Sequence, residues 1–87
     1  WVVAGPMTTK YLAEHGATVV RVESRKRPEQ LRNGGPFKDS IPGINRSGYF
    51  ANNNPNKYGI TLSLRHAKAK ELVYRMVAWA DMVTEKL

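Results

Sequence analysis

The chain contains no cysteine, which excludes a disulfide framework, thiol catalysis and a cysteine-ligated zinc site. That absence suits a reducing compartment, and a cytoplasmic location is expected. Carboxylates are scarce: seven Asp and Glu stand against 14 Lys and Arg, a formal net charge of +7. Histidine occurs twice, as His15 and His66, and their spacing matches no metal-ligand pattern, so no metal is expected. No apolar run approaches the ~20 residues that span a bilayer. No basic segment followed by an apolar core marks a secretory signal, and neither a membrane nor a leader is expected. The G-x-G-x-x-G fingerprint of dinucleotide-binding folds is missing as well.

What is present fits one small globular domain. A chain of 87 residues is below the usual size of an independent domain and buries roughly 60–65% of its unfolded surface, so marginal stability is expected. Hydrophobic residues make up 41% and charged residues 24%, which argues against wholesale disorder. The positive balance suits an anionic partner: nucleic acid, an acidic membrane surface or a phosphorylated small molecule. It is also compatible with compensation by further polypeptide.

Along the chain, helical and strand periodicities alternate. Trp1 to Val3 reads as the tail of a strand, and Pro6 as a first helical residue. Met7, Tyr11 and Leu12 share one face of a helix running to His15, where Gly16 supplies a left-handed closing residue. Val19, Val20 and Val22 lie in a β-branched run, Ala17 to Glu23, suited to a strand covered on both faces. Residues 24–56 are rich in Arg, Lys, Gly, Pro, Asn and Ser and read as one long functional loop, with a short helical turn in SGYFANNN. A strand follows from Tyr58 to Leu64. A helix from His66 carries Ala69, Leu72, Val73, Met76, Val77 and Ala80 on one stripe. Asp81 breaks that pattern, and Met82-Val83-Thr84 begins a fourth strand. The fold class is therefore α/β: a Rossmann-like, mostly parallel sheet with flanking helices. Both ends fall inside strands, so 1–87 reads as an excerpt of a larger domain.

Chemistry from the residues alone is sparse. His15 adjoins a helix end, where a capping role outweighs catalysis, and His66 opens a helix in solvent. Asp39, Glu23, Asp81 and Glu85 form no acid–base pair. Glu23 ends a strand, where a structural ion pair is the commoner explanation. No nucleophile elbow surrounds any Ser or Thr, so no catalytic residue is assigned. Ala4-Gly5-Pro6 places small residues before a helix N-terminus, a weak anion signal. Arg21, Arg25, Lys26 and Arg27 cluster at the carboxyl end of a strand, the edge where open α/β sheets bind ligands. As phosphate ligands or as a solvated loop, they read equally well. Aromatic residues do not interleave with the basic ones as in a nucleic-acid module.

Four blocks in register are more specific. Val2-Val3-Ala4-Gly5-Pro6 leads through a short helix to Gly16-Ala17-Thr18-Val19 and Val22-Glu23. Tyr49-Phe50-Ala51-Asn52-Asn53-Asn54-Pro55-Asn56-Lys57 precedes the strand Ile60-Thr61-Leu62-Ser63-Leu64-Arg65. Ala80-Asp81-Met82-Val83-Thr84-Glu85 closes the set. Together they resemble the class III CoA-transferases, the group that includes formyl-CoA and carnitine CoA-transferases, over nearly the whole chain.

The resemblance implies an N-terminal piece of a CoA-binding large domain. It implies coenzyme A as ligand, with an acyl-CoA and a carboxylic acid as the substrates of the full enzyme. In such enzymes an aspartate attacks the acyl-CoA to give a mixed anhydride. That residue lies downstream of these blocks, so the chain alone is expected to be inactive. Carried over block by block, the CoA contacts are Val2, Val3 and Ala4 at the first helix and Ser24 and Arg25 after the strand-ending Glu23. Leu62, Ser63, Leu64 and Arg65 complete them along the adenine and its phosphates. Ser24 stands where relatives often have Arg. Lys86-Leu87 replaces the Asn-Phe that usually follows the last Glu. Two other classes remain as alternatives: a small basic nucleic-acid-binding protein, and a non-catalytic interaction fragment. Unpaired strand edges predict self-association, with a homodimer as the expected assembly.

Overall fold

The computed structural model describes residues 3–85. Five regular elements follow in order: α1 (Ala4–Glu14), β1 (Val20–Glu23), α2 (Gly48–Asn53), β2 (Tyr58–Thr61) and α3 (Ala67–Trp79). Two short 3₁₀ turns, Gln30–Asn33 and Lys38–Ser40, punctuate the segment between β1 and α2. β1 and β2 pair in parallel, with Val20 opposite Tyr58 and Glu23 opposite Thr61. The ladder extends one bond beyond each end, from Tyr58 N–H to Val19 C=O and from Leu62 N–H to Glu23 C=O. The expected α/β class holds, as a small parallel sheet flanked by helices.

α1 starts earlier than its proline suggests. The Met7 N–H already donates to Val3 C=O, and the Thr8 and Thr9 hydroxyls fold back onto the carbonyls of Ala4 and Gly5. Pro6 sits inside the first turn, where a missing N–H is harmless. Ala4 and Gly5 are therefore helical rather than a loop before a helix, and Val3 is its N-cap, not strand. Trp1 and Val2, the rest of that expected strand, lie outside the described residues. The helix closes as the sequence predicts. Gly16 takes φ +100°, and Ala17 N–H reaches back to Leu12 C=O, the long hydrogen bond of a glycine-terminated helix. His15 Nδ1 lies 2.7 Å from Tyr11 C=O, in its capping role.

The fourth strand does not form: residues 82–85 are described but pair with nothing regular. A strand needs a neighbour to take its N–H and C=O groups, and none adjoins Met82-Val83-Thr84 among the described residues. The interior is also unusual in composition. Among the described residues, the buried hydrophobic ones are Ala13, Leu31 and Ala69, while Glu29, Ser47 and Asn53 are buried as well. Polar bonds, more than an apolar core, order the middle of the chain.

Candidate functional site

The region read as one open loop, 24–56, is held by side chains that reach across it. Glu23, at the end of β1, receives Arg32 in a two-pronged pair: Nε to Oε2 and Nη2 to Oε1, both at 2.8 Å. Arg32 Nη1 continues to Ile44 C=O and Asn45 Oδ1. The Arg32 guanidinium lies 3.7 Å from the Phe50 ring centroid, within cation–π range. The Arg32 hydrogen bonds hold the Glu23 carboxyl below its usual range against the opposing effect of burial, helped by the Glu29 N–H. Glu23 is thus the structural ion pair expected of a strand-ending carboxylate.

Arg21 belongs to the same frame. Its Nη2 donates to Glu29 Oε2 at 2.8 Å, Nη1 approaches Asn54 Oδ1, and its guanidinium also lies over Phe50. The sequence grouped Arg21 with Arg25, Lys26 and Arg27 as a basic cluster, and the structure removes it from that group. Its charge is turned inward onto a buried carboxylate, because β1 alternates its side chains and Arg21 points the way of the 24–56 segment. Ser47 finishes the frame: its hydroxyl contacts the Leu31 and Gly34 carbonyls and accepts the Phe50 N–H, capping α2.

This frame leaves a pocket of about 430 Å³ at the carboxyl ends of the two strands. Ser24, Leu62, Ser63, Leu64 and Arg65 line it, together with Val22, Glu23, Lys26 and Arg27. Ser24 Oγ accepts the Arg27 N–H and so shapes the turn that carries Lys26 and Arg27. Among the described residues, Lys26, Arg27 and Arg65 make no ion pair. The only carboxylate at the wall, Glu23, is already neutralised by Arg32. An apolar floor with three unpaired cations at its rim suits a ligand that joins a flat hydrophobic group to phosphates.

Not every expected contact residue arrives here. Arg25 is exposed and does not line the pocket, whereas Lys26 and Arg27, which the sequence left open between phosphate ligands and a solvated loop, do. The signal for them was the strand-end position of the whole basic run. Val3 and Ala4 begin α1 and line no part of this pocket, and Val2 lies outside the described residues. Lys57, which closes the block from Tyr49, lies outside this pocket and has a structural role. Its ammonium donates to Pro6 C=O, Asn53 C=O and Asn54 Oδ1, fastening α1 to the end of α2. Burial, and secondarily the nearby Arg21 charge, pull its pKa down to about 8.

Comparison with known proteins decides the family. The sequence model of CoA-transferase family III matches residues 1–87. The chain belongs to CoA-transferase family III. It is 37% identical over 86 residues to the succinate–glutarate CoA-transferase of Agrobacterium fabrum, covering 97% of this chain and 22% of that protein. A Fusarium pseudograminearum acyl-CoA transferase is 33% identical over 88 residues, covering 97% and 19%. The formyl-CoA:oxalate CoA-transferase of Bradyrhizobium sp. is 36% identical over 84 residues, again covering 97% and 19%. The chain thus spans about a fifth of the length of these relatives. No solved structure matches. Among the described residues of this family III chain, no helix is long and apolar enough to cross a membrane. Nor could any cluster of His, Asp and Glu there hold a metal ion.

Proposed function

We propose that this chain supplies part of the coenzyme A site of a CoA-transferase that moves CoA between carboxylic acids. The observation that carries the reading is the convergence of Ser24, Leu62, Ser63, Leu64 and Arg65 on one pocket at the carboxyl ends of parallel strands. Open α/β sheets bind their ligands at that edge. In this reading Val22, Leu62 and Leu64 take the flat face of the adenine. Arg65, Lys26 and Arg27 take phosphate oxygens, and Ser24 and Ser63 supply short hydroxyl contacts. Val2, Val3 and Ala4 would be further CoA contacts; of these, Val3 and Ala4 stand at the start of α1, outside this pocket. The basic charge of the chain finds its use in the several phosphates of CoA.

The transfer step itself, through an aspartate and a mixed anhydride, is assigned to no residue of these 87. The complete enzyme would act on an acyl-CoA and a carboxylic acid, as a cytoplasmic homodimer in which residues 1–87 form the first portion of the large domain.

Calorimetric titration with CoA and, separately, with a DNA oligonucleotide across a salt series tests this. Saturable CoA binding that Arg65→Ala weakens by about three- to tenfold, as loss of one charge-assisted contact implies, supports the reading. Equal, steeply salt-dependent binding of both polyanions would replace it with the nucleic-acid alternative.

A further inference from the structure

Arg32 lines no part of the strand-end pocket, yet it sets the charge of one of its walls. The turn that carries it is pinned from two sides. Leu31 is buried within the 3₁₀ turn Gln30–Asn33, and the Glu29 carboxylate caps that turn by accepting the Leu31 N–H. The Glu29 N–H donates to Glu23 Oε2 at 2.6 Å, which ties the turn to the end of β1. Held this way, Arg32 lays one edge of its guanidinium along the Glu23 carboxylate, with a nitrogen on each oxygen. Its Nη1 reaches Ile44 C=O and Asn45 Oδ1, and its flat face covers the Phe50 ring.

Glu23 has two positions at once: it is the partner of Arg32 and a wall of the pocket. Only 16% of the Arg32 side chain and 14% of the Glu23 side chain are exposed, so salt screens this pair little. A bare carboxylate at that wall would oppose any phosphate drawn in by Lys26, Arg27 and Arg65. At a partly buried site, one unit charge a few ångströms from another is worth about tenfold in affinity. Arginine suits the task of cancelling it, because its guanidinium stays protonated and matches a carboxylate with two parallel bonds. Arg21, also outside the pocket, does the same for the buried Glu29. The cations of this region are thus sorted. Arg21 and Arg32 are turned onto carboxylates, while Lys26, Arg27 and Arg65 make no ion pair among the described residues and line the pocket.

We propose that Arg32 is a positioning residue of the CoA site that acts through Glu23, cancelling the carboxylate at the wall so that the phosphates of CoA meet cations alone. This deepens, and rests on, the CoA reading above. It differs from a purely structural role, in which Arg32 braces residues 24–56 and its loss deforms the pocket. If charge is what matters, removing both partners restores binding. If the brace is what matters, removing both cannot.

Calorimetric titration of the whole 87-residue chain with CoA, and in parallel with inorganic pyrophosphate, separates the two roles. Arg32→Met should weaken CoA binding about tenfold, and Arg32→Lys, which keeps the charge, by less than about threefold. Adding Glu23→Gln to Arg32→Met should return the affinity to within about threefold of the parent chain. Glu23→Gln alone leaves the Arg32 charge uncancelled beside the pocket and should bind CoA at least as tightly as the parent. That variant carries the test by itself if Arg32→Met does not fold. The proposal is overturned by an Arg32→Met chain that binds like the parent, or by a double variant as weak as Arg32→Met. A Glu23→Gln chain weakened about threefold or more overturns it as well. When the parent binds CoA and this order fails, the Arg32 role falls and the CoA site stands. A parent that binds pyrophosphate but not CoA sinks the CoA reading, and the same order read with pyrophosphate then decides the role of Arg32. A parent that binds neither sinks both.

Discussion

Arg21 and Glu29 meet at 2.8 Å, and the Glu29 side chain is fully buried. A carboxylate without water needs a counter-charge, and Arg21 on β1 provides it across an eight-residue gap. Arg21→Met should therefore be severe, costing about 3–5 kcal/mol by removing the close counter-charge of a buried carboxylate. For a domain of this size that approaches the whole stability. Urea unfolding followed by circular dichroism measures it. Adding Glu29→Leu to Arg21→Met should return much of the loss, because an apolar pair replaces an ion pair at little penalty. If the double variant is no more stable than the single one, this pair is not what orders the segment.

The Glu23–Arg32 pair sets the acid limit. Glu23 has its carboxyl held below the usual value of 4.5 by Arg32. A depressed folded-state pKa contributes stability that is fully present above the unfolded value and is lost as pH falls through the folded one. Stability should therefore be flat near neutrality and decline below about pH 4.5 as Glu23 protonates. Glu23→Gln should lower stability at pH 7 and flatten that acid decline. Unfolding midpoints measured from pH 7 to pH 3 check both halves of the statement.

Lys57 titrates near 8, and the sign runs the other way from intuition. Its folded pKa lies below its unfolded value of 10.5, so the unfolded chain holds the extra proton between the two. This group's contribution to stability is full above 10.5 and is lost as pH falls through about 8. The Nζ resonance followed by NMR should show a midpoint close to 8. A midpoint above 10 would mean that Lys57 is not desolvated between α1 and α2.

Much of this architecture is legible in the sequence, and the boundary is physical. Gly16 announces the end of α1 because only a left-handed residue closes a helix that way. The β-branched run around Val20 announces β1, and the apolar stripe from Ala69 announces α3. Each is a local signal. The organisation of 24–56 rests instead on partners eight or more residues apart, such as Arg21 with Glu29, Glu23 with Arg32 and Leu31 with Ser47. Composition shows only that the segment is polar. Arg21 is misread for the same reason: its neighbours in sequence are cations facing water, while its partner in space is a buried carboxylate. Leu62 to Arg65 can be grouped with Ser24 from sequence blocks, but parallel pairing of β1 with β2 is what brings them to one pocket.

Ser47→Ala isolates one joint of that frame. The hydroxyl caps α2 through the Phe50 N–H and serves the Leu31 and Gly34 carbonyls. Losing an N-cap and a buried bond together should cost about 1–3 kcal/mol. Ser47→Thr, which keeps the hydroxyl, should recover part of it. Thermal melts of the two variants make the comparison, and equal losses would show that the extra methyl group and not the hydroxyl is what matters.

The sharpest contrast lies between neighbouring cations. Arg25 and Arg27 are both exposed and two residues apart, yet only Arg27 lines the pocket at the strand ends. A general attraction of CoA to a basic surface would make Arg25→Ala and Arg27→Ala equally weak binders, and the difference would vanish in moderate salt. A built site makes them unequal. Arg27→Ala should lower CoA affinity by about three- to tenfold, as for one charge-assisted bond at a partly exposed rim. Arg25→Ala should stay within about twofold of the parent chain, since exposed charges contribute little when they touch nothing. Arg27→Lys should fall between them, because a lysine keeps the charge but loses the planar fork. Calorimetric titration of the three variants at two salt concentrations reads the order directly, and an order in which Arg25→Ala is the weakest binder would move the phosphates away from this pocket.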